Sequence, residues 1–560
     1  MLSGFNVGKT YVSFGARHTS AACEEADWVS REWSRLRSKV GYALLPISLL
    51  LISLAWFRSF PLSVESRASY LYDSTNPCYW IGLAITNVAL FLIASNSKHR
   101  WERFACGFAF FVSTYSMTYF FTFGFGPDWN FFRGLTENFA ANGVWNLYYQ
   151  WPMLFVLGTI TSRVLGMTVA TACGTLFFAW NLAFVGGLFL YSSQESTVMD
   201  FLAVVAYTIA ANPYMPWQFS AQTFALTLLI VCLVFVSGKG ASFRIAAMIV
   251  YGALVLSHAF LAVFLILAVG FIAVAKDRRY FTVAVLFGLI YVLNTIRGAT
   301  TLIPMAIDEY AQLYREYLLQ ATLTQAGAVS WLDALGRTVS LLTTISMWTL
   351  LGFATLSSLI HRRLRLIDIS AMLSALVYAV VGVIGWRAIQ ILLIPTTHAL
   401  RSMILKGPVR KLLLVFFLSA LVVFPVVLIH RSYNVTPYIT LREQHAADTI
   451  FIATAQNGGE TGYTMMVRNR VYQYLDSKSN TNTRYIDEYA APRLLKGTAW
   501  FHFIFMSPEL EKDLLNISLL SNGELSQMEA NADVFSRTYS NGHVTVLMSS
   551  NATALPTGPA

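Results

Sequence analysis

Uncharged apolar runs, close to the 20 residues that a helix needs to cross a hydrocarbon core, recur through the first 430 residues of this chain. Charged residues make up only 12% of the 560 residues, about half the fraction usual in soluble globular proteins. The pattern predicts an all-α polytopic transmembrane bundle. The expected spans are residues 41–57, 79–95, 104–123, 151–168, 170–191, 219–236, 243–257, 258–275, 281–296, 338–360, 367–385, 388–404 and 411–429.

Short basic clusters between these runs predict the orientation of the bundle. Cytoplasmic loops of membrane proteins carry an excess of Lys and Arg, so the basic N-terminal segment is expected inside. About 13 crossings then bring every other cluster inside, provided that the short apolar segment 199–211 does not cross. The clusters are Arg31 to Lys39, Lys98 to Arg100, Lys239 with Arg244, Lys276 to Arg279, His361 to Arg365 and Arg401 to Lys411.

The same clusters account for the net charge of +10, since they lie where loops between spans are expected. A nucleic-acid partner is therefore not expected, and the lipid bilayer is the principal partner. We predict a multi-pass protein of the plasma or cytoplasmic membrane, with its N-terminus inside and its C-terminal domain outside.

Three domains follow from this topology. Residues 1–40 form a cytoplasmic segment in which Glu24 to Arg37 is expected to be an interfacial helix, because its apolar side chains cluster on one side. Residues 41–429 form the transmembrane domain, and residues 430–560 a soluble extracytoplasmic domain. The predicted external loops of the transmembrane domain are 58–78, 124–150 and 297–337.

The C-terminal segment is predicted to be a small α/β domain. Leu441 to Ile452 has a helical pattern, Thr498 to Phe505 a strand-like one, and Val534 to Met548 the pattern of a hairpin. Residues that tolerate positive φ, Ser540-Asn541-Gly542, lie at the expected turn. N-glycosylation triplets at Asn434, Asn516 and Asn551 favour an outer location.

The five cysteines show no CxxC spacing, so neither a disulfide framework nor a zinc site is indicated. No sequence motif indicates a cofactor. A divalent cation stays open, although no metal motif is present.

One stretch after the third expected span carries the strongest functional pattern. Gly126-Pro127-Asp128 is followed by a loop of some two dozen residues, then by Tyr148-Tyr149-Gln150-Trp151-Pro152 and an apolar helix that closes with Gly166. This order resembles the GT-C class of membrane glycosyltransferases, which use sugars linked to polyprenyl phosphate, and in particular archaeal-type members of that class. The resemblance implies that Asp128 is the acidic residue of the external loop and that Tyr149, Pro152 and Gly166 belong to the following helix.

Shorter segments fit the same resemblance: Asn212 to Trp217, Ser257-His258, and Tyr539 to Gly542. Two extra spans precede the loop, however, so Asp73 of the earlier loop competes for the acidic role. The outer segment has no Asp-x-Asp pair and no WWD-like motif, which favours a single-sugar transferase over an oligosaccharyltransferase.

Such an enzyme needs fixed positive charge for the lipid phosphate and a carboxylate within hydrogen-bond reach of the acceptor hydroxyl. We therefore expect Asp128, with Asp73 as its alternative, to be catalytic. Substrate-binding candidates are Arg387, Arg297, Glu137 and Tyr149. The expected partners are a polyprenyl-phosphate sugar donor and a glycan, lipid or protein acceptor.

Each candidate also has a structural interpretation. Asp128 is suited to cap a loop helix and Asp73 to a turn. Glu137 lies half a helical turn from Asp128 on a continuous helix and has a surface role as its alternative. Either arginine can snorkel to headgroups, and a histidine such as His258 is commonly a hydrogen-bonded core residue.

Two other functions remain open from the sequence. A transporter or flippase for lipid-linked sugars would be favoured by ionisable groups at the bundle midplane, yet the span interiors contain almost no acids. A non-catalytic membrane component that presents the outer domain to a partner would have no cavity beneath residues 124–150.

Overall fold

A computed structural model of the chain is mostly helical in the part that it describes. Three of the described helices are long and apolar enough to cross a membrane by length and composition: Ser38–Arg58, Pro77–Asn96 and Val169–Leu190. The described residues are 19–59, 76–97, 99–115, 129–143, 152–192, 204, 219–238, 240–275, 278–296, 373, 443, 446–449, 463–466, 483–486, 503–507, 510, 535–540 and 545–549.

Most of the described helices overlap the predicted apolar runs. Their bounds are α1 Thr19–Ser59, α2 Pro77–Asn96, α3 Arg100–Tyr115, α4 Trp129–Asn142, α5 Met153–Leu165, α6 Val169–Ser192, α7 Ala221–Ser237, α8 Ala241–Val255, α9 Ala259–Ala275 and α10 Arg279–Ile296. However, α1 begins well before its run, and α4 lies within the predicted loop 124–150.

Helix α1 is continuous over 41 residues, so the segment Glu24 to Arg37 is not a separate interfacial helix as predicted. Its length is about 60 Å, twice the thickness of a hydrocarbon core. It packs on α2 where glycines let the backbones approach: an ideal Cβ at Gly82 would lie 3.0 Å from the carbonyl oxygen of Ser48, and one at Gly41 3.0 Å from that of Ala89. Small residues at contacts of this kind are typical of membrane helices.

Helices α3 and α6 run antiparallel. The guanidinium carbon of Arg100 lies 5.2 Å from the ring centre of Phe189, and the rings of Phe104 and Phe189 are 5.3 Å apart. The first turn of α3 therefore lies beside the last turns of α6. This differs from the predicted topology, which puts Lys98 to Arg100 and the end of span 170–191 on opposite sides.

Helix α5 covers most of the crossing predicted over residues 151–168. With 13 residues this helix is only about 20 Å long, shorter than the roughly 30 Å of a hydrocarbon core, as is α8 with 15 residues. It ends at Gly166, whose φ of 62° gives the left-handed cap that glycine adopts without strain. Thr168 then caps α6 by accepting from the N–H of Thr171 at 3.3 Å.

Helices α6 and α7 run parallel. The rings of Trp180 and Phe224 are 5.1 Å apart, and seven residues further along α6 Gly187 lies against Ile230. Apart from Val204, the segment predicted not to cross, 199–211, lies outside the described residues. Val204 is helical and buried in the main apolar core.

The remaining helices, α7 to α10, pack around one apolar core. Cys232 of α7 approaches the carbonyl oxygen of Ala247 at 3.4 Å, and Tyr251 of α8 stacks on Phe287 of α10 with ring centres 3.9 Å apart. The apolar run 243–275, which is tight for two spans, is divided by a turn at Leu256 to His258.

The C-terminal residues described include a five-stranded sheet in the order β2-β1-β3-β5-β4. Strand β1 is parallel to β2 and β3, whereas β5 is antiparallel to β3 and β4. The pair β4–β5 occupies the positions predicted for a hairpin, and β3 overlaps the predicted strand at Thr498 to Phe505. The strands are β1 Tyr463–Met466, β2 Thr483–Ile486, β3 Phe503–Met506, β4 Phe535–Ser540 and β5 Thr545–Ser549.

Ser507 links this sheet to a helical residue. Its Oγ donates to the carboxylate of Glu443 at 2.9 Å and accepts from the N–H of Leu510 at 3.2 Å. All three residues are buried.

Candidate functional site

The helix that begins directly after Asp128 is packed inside the bundle. Trp129, its first residue, is buried, with its ring centre 5.4 Å from that of Phe177 and 6.0 Å from that of Phe219. Phe177 is eight residues into α6, so Trp129 contacts α6 about 12 Å from its start. The segment predicted as a polar external loop, 124–150, therefore includes a packed helix.

Aromatic side chains surround this helix start. The rings of Trp180 and Phe219 stack with centres 5.2 Å apart, and Phe132 stacks on Phe155 at 6.2 Å. We call the group the aromatic cluster; its members are Trp129, Phe132, Phe155, Phe177, Trp180, Phe219 and Phe224. Ring pairs of this geometry contribute roughly 0.5–1.5 kcal/mol each beyond their buried area. The cluster joins α4, α5, α6 and the start of α7.

Helices α4 and α5 lie parallel and in close contact. An ideal Cβ on Gly158 would lie 2.6 Å from Cγ2 of Thr136, a distance that real side chains do not reach. Further along, Arg163 donates to the carbonyl oxygen of Ala140 at 2.9 Å. Both helices thus start at the level of the aromatic cluster and run away from it in the same direction.

The turn between α8 and α9 reaches the same level. The N–H of Met153, the first residue of α5, donates to the carbonyl oxygen of Leu256 at 3.2 Å. Ser257 and His258 follow directly, and Ser257 is buried with its Oγ donating to the carbonyl oxygen of Ala253 at 2.6 Å. The segment Ser257-His258 therefore lies near the start of α5.

Glu137 forms an ion pair with Arg133 one turn earlier on α4. The Arg133 Nε lies 2.8 Å from a carboxylate oxygen, and the Arg133 side chain is only 8% exposed. The Glu137 side chain is 28% exposed, so it is partly accessible to solvent. The residues are four apart, the spacing at which helix side chains meet, and this spacing was the sequence signal for the pair.

The other predicted site residues lie outside the described residues: Asp128, Asp73, Tyr149, Arg297 and Arg387. Residues close to Asp128 and Asp73 in the sequence are described. The helix that Asp128 is suited to cap begins at Trp129. Asn76, three residues after Asp73, caps α2 by accepting from the N–H of Cys78 at 2.9 Å.

Two buried polar groups near the aromatic cluster have no hydrogen-bond partner within the described part of the chain. They are the indole N–H of Trp180 and the hydroxyl of Thr159. Thr159 follows Gly158, whose Cβ position lies 3.8 Å from the ring of Phe219. Buried polar groups in proteins are nearly always hydrogen-bonded, so each of these requires an explanation.

A separate charged cluster ties α1 to the start of α3. Tyr42 and Ser97 both donate to the carboxylate of Glu102, and Arg103 donates to the carbonyl oxygen of Ser97 at 3.0 Å. The hydrogen bonds from Ser97 and then Tyr42 lower the pKa of Glu102 below its ordinary value of 4.5, and His99 and Arg103 act in the same direction. Nothing in the sequence pattern pointed to this cluster.

Among the described residues, no three His, Cys, Asp or Glu side chains lie close enough together to hold a metal ion. The chain matches no protein-family model and no curated protein sequence. The GT-C resemblance therefore stays a prediction from the residues that carry it.

Proposed function

We propose that this protein is a GT-C-like membrane glycosyltransferase that moves a single sugar from a polyprenyl-phosphate donor to a glycan, lipid or protein acceptor on the outer face. The observation that supports the proposal best is the start of α4. The residue after Asp128, Trp129, is buried in an aromatic cluster beside apolar helices. The aromatic cluster therefore begins at the residue that follows Asp128, and aromatic faces are surfaces on which sugar rings pack.

The reaction requires one carboxylate. Asp128 accepts the proton of the acceptor hydroxyl while the acceptor oxygen forms a bond to the anomeric carbon. The bond from that carbon to the phosphate oxygen breaks, and the lipid phosphate leaves with its electron pair. Direct displacement of this kind inverts the anomeric centre. Arg387 or Arg297 holds the phosphate, and Tyr149 and Glu137 contribute to substrate binding.

The proposal includes a membrane topology of about 13 crossings with the N-terminus inside. Residues 193–218 cross in place of 151–168, which leaves every basic cluster on the inner side because one crossing replaces another. Residues 430–560 form a small α/β domain outside. Cysteines are introduced at positions 124, 320 and 457, and intact cells are treated with a thiol reagent from outside. All three positions should be labelled, and protection of position 457 would overturn this topology.

The mechanism is tested by measuring the rate of sugar transfer by the Asp128→Asn protein. In lipid nanodiscs, wild-type protein is supplied with polyprenyl-phosphate-linked glucose, mannose or galactose and with membrane glycans as acceptors. The variant should turn over roughly 100-fold to 10,000-fold more slowly, as for loss of a general base. Asparagine is an equally good helix cap, so the fold should persist.

The matched control is Asp73→Asn, which should retain activity. Wild-type rates in Asp128→Asn protein combined with loss in Asp73→Asn protein would transfer the role to Asp73. If no donor is consumed by wild-type protein, the transferase proposal fails. In that case, movement of intact lipid-linked sugar across the bilayer of proteoliposomes would support the flippase alternative.

A further inference from the structure

The indole N–H of Trp180 is a hydrogen-bond donor inside the aromatic cluster. Only 4% of the residue is exposed, and its indole Nε1 has no partner within the described part of the chain. A buried donor without a partner costs roughly 1–3 kcal/mol. Phenylalanine would fill most of the same space without this cost.

The surroundings of this donor are aromatic. Phe219 stacks on Trp180 at 5.2 Å, Phe224 lies 5.1 Å away, and Phe177 packs edge-on at 6.2 Å. Rings provide faces for the C–H groups of a sugar, but no oxygen to accept the indole proton. An aromatic wall with a small number of fixed polar groups is the usual composition of a ligand pocket.

The donor also lies close to the proposed catalytic position. Trp180 is one helical turn after Phe177, and Phe177 contacts Trp129, the residue after Asp128. The unpaired hydroxyl of Thr159 lies on α5 beside Gly158, which approaches the opposite ring, Phe219. The two helices that carry these polar groups, α5 and α6, meet in the aromatic cluster.

We propose that the sugar of the lipid-linked donor binds at the aromatic cluster, with the Trp180 indole N–H donating to one of its oxygens. This inference rests on the proposed transferase function. Trp180 is only 4% exposed, so the sugar reaches its indole N–H only when the surrounding rings move apart. The hydrogen bond then pairs a donor that has no partner among the described residues.

Trp180→Phe tests this assignment because it keeps an aromatic ring and removes only the donor group and some area. Trp80→Phe is the matched control, since Trp80 is also buried with an unpartnered indole N–H within the described residues but lies in α2, outside the cluster. With polyprenyl-phosphate-linked glucose, mannose or galactose, whichever the wild type uses, Trp180→Phe should raise the donor KM roughly 5-fold to 100-fold. Trp80→Phe should leave it within about twofold.

Lipid-linked sugars that each lack one hydroxyl identify the sugar oxygen that accepts from the Trp180 indole N–H. For one deoxy position the wild type should show a similar rise in KM, and Trp180→Phe should add nothing to it, because both changes remove the same hydrogen bond. An unchanged KM in Trp180→Phe protein, with active wild-type protein, would overturn the inference and leave a buried water as the partner of the indole. Absence of activity in the wild type would instead overturn the proposed function.

Discussion

Gly187 of α6 lies directly against Ile230 of α7, so that an ideal Cβ on Gly187 would be 3.6 Å from the Cβ of Ile230. That spacing lies within the range of Cβ separations in disulfides. The contact also fixes the relative direction of the two helices, because Trp180, seven residues earlier on α6, contacts Phe224, six residues earlier on α7.

The first prediction follows from this contact. In protein whose five native cysteines are replaced by alanine, Gly187→Cys with Ile230→Cys should form a disulfide when treated with membrane-permeant iodine. Gly187→Cys with Phe224→Cys should not, since parallel helices separate these positions by about 9 Å along the axis. Mass spectrometry of the linked peptides distinguishes the pairs. Efficient linkage in the second double variant, and none in the first, would restore the antiparallel arrangement expected from the sequence.

Helix positions were largely predictable because charged residues, glycines and prolines end the apolar runs. The expected spans 170–191 and 258–275 agree with α6 Val169–Ser192 and α9 Ala259–Ala275 within one residue at each end. Their directions were not predictable in the same way. Replacing one crossing by another leaves all the basic clusters on one side, so charge alone does not distinguish 151–168 from 193–218 as the crossing segment.

The candidate site was predictable only in part. Pro152 and Gly166 bound a helix as the motif implied, and Glu137 lies in the packed segment. The pairing of Arg133 with Glu137 was readable from their spacing. The role proposed for Trp180 was not, because an unused donor becomes visible only when the neighbours from α4, α5 and α7 are in place.

A second prediction concerns the contact between α4 and α5. Gly158→Ala places a methyl 2.6 Å from Cγ2 of Thr136, whose hydroxyl is held by the carbonyl oxygen of Phe132 at 2.7 Å. We expect the free energy of unfolding to fall by about 1–3 kcal/mol, as for overpacking. Thermal unfolding in detergent measures the change.

Two further variants separate this clash from other effects of the substitution. Gly174→Ala in α6 meets no atom within 4 Å and should be neutral or stabilising by up to about 1 kcal/mol. Thr136→Ser removes the Cγ2 methyl and keeps the hydroxyl, so the double variant with Gly158→Ala should recover stability. Failure of Thr136→Ser to rescue would show that α4 and α5 do not meet at these residues.

A third prediction concerns the ion pair within α4. Glu137→Gln leaves the largely buried Arg133 without its carboxylate partner, which should lower stability by about 1–2 kcal/mol, less than for a fully buried pair because Glu137 is partly exposed. Arg133→Met with Glu137→Gln should cost less than the sum of the single changes. Thermal unfolding of the wild type, the two single variants and the double variant measures the losses of stability. If the losses of the single variants add up to that of the double variant, the two side chains are not coupled.

The last prediction concerns acid stability at the cluster of Tyr42, Ser97 and Glu102. The folded-state pKa of Glu102 is lowered, so its contribution is complete above the ordinary pKa of 4.5 and is lost as the pH falls below it. Tyr42→Phe removes one donor to this carboxylate and should reduce the unfolding temperature at about pH 7, with the difference from wild type shrinking towards about pH 3.5. Tyr280→Phe is the control, because Tyr280 donates at 3.4 Å to a backbone carbonyl, that of Val236, which does not titrate. Its effect should be the same at both pH values, and an equally constant effect of Tyr42→Phe would show that Glu102 is not the group through which Tyr42 acts.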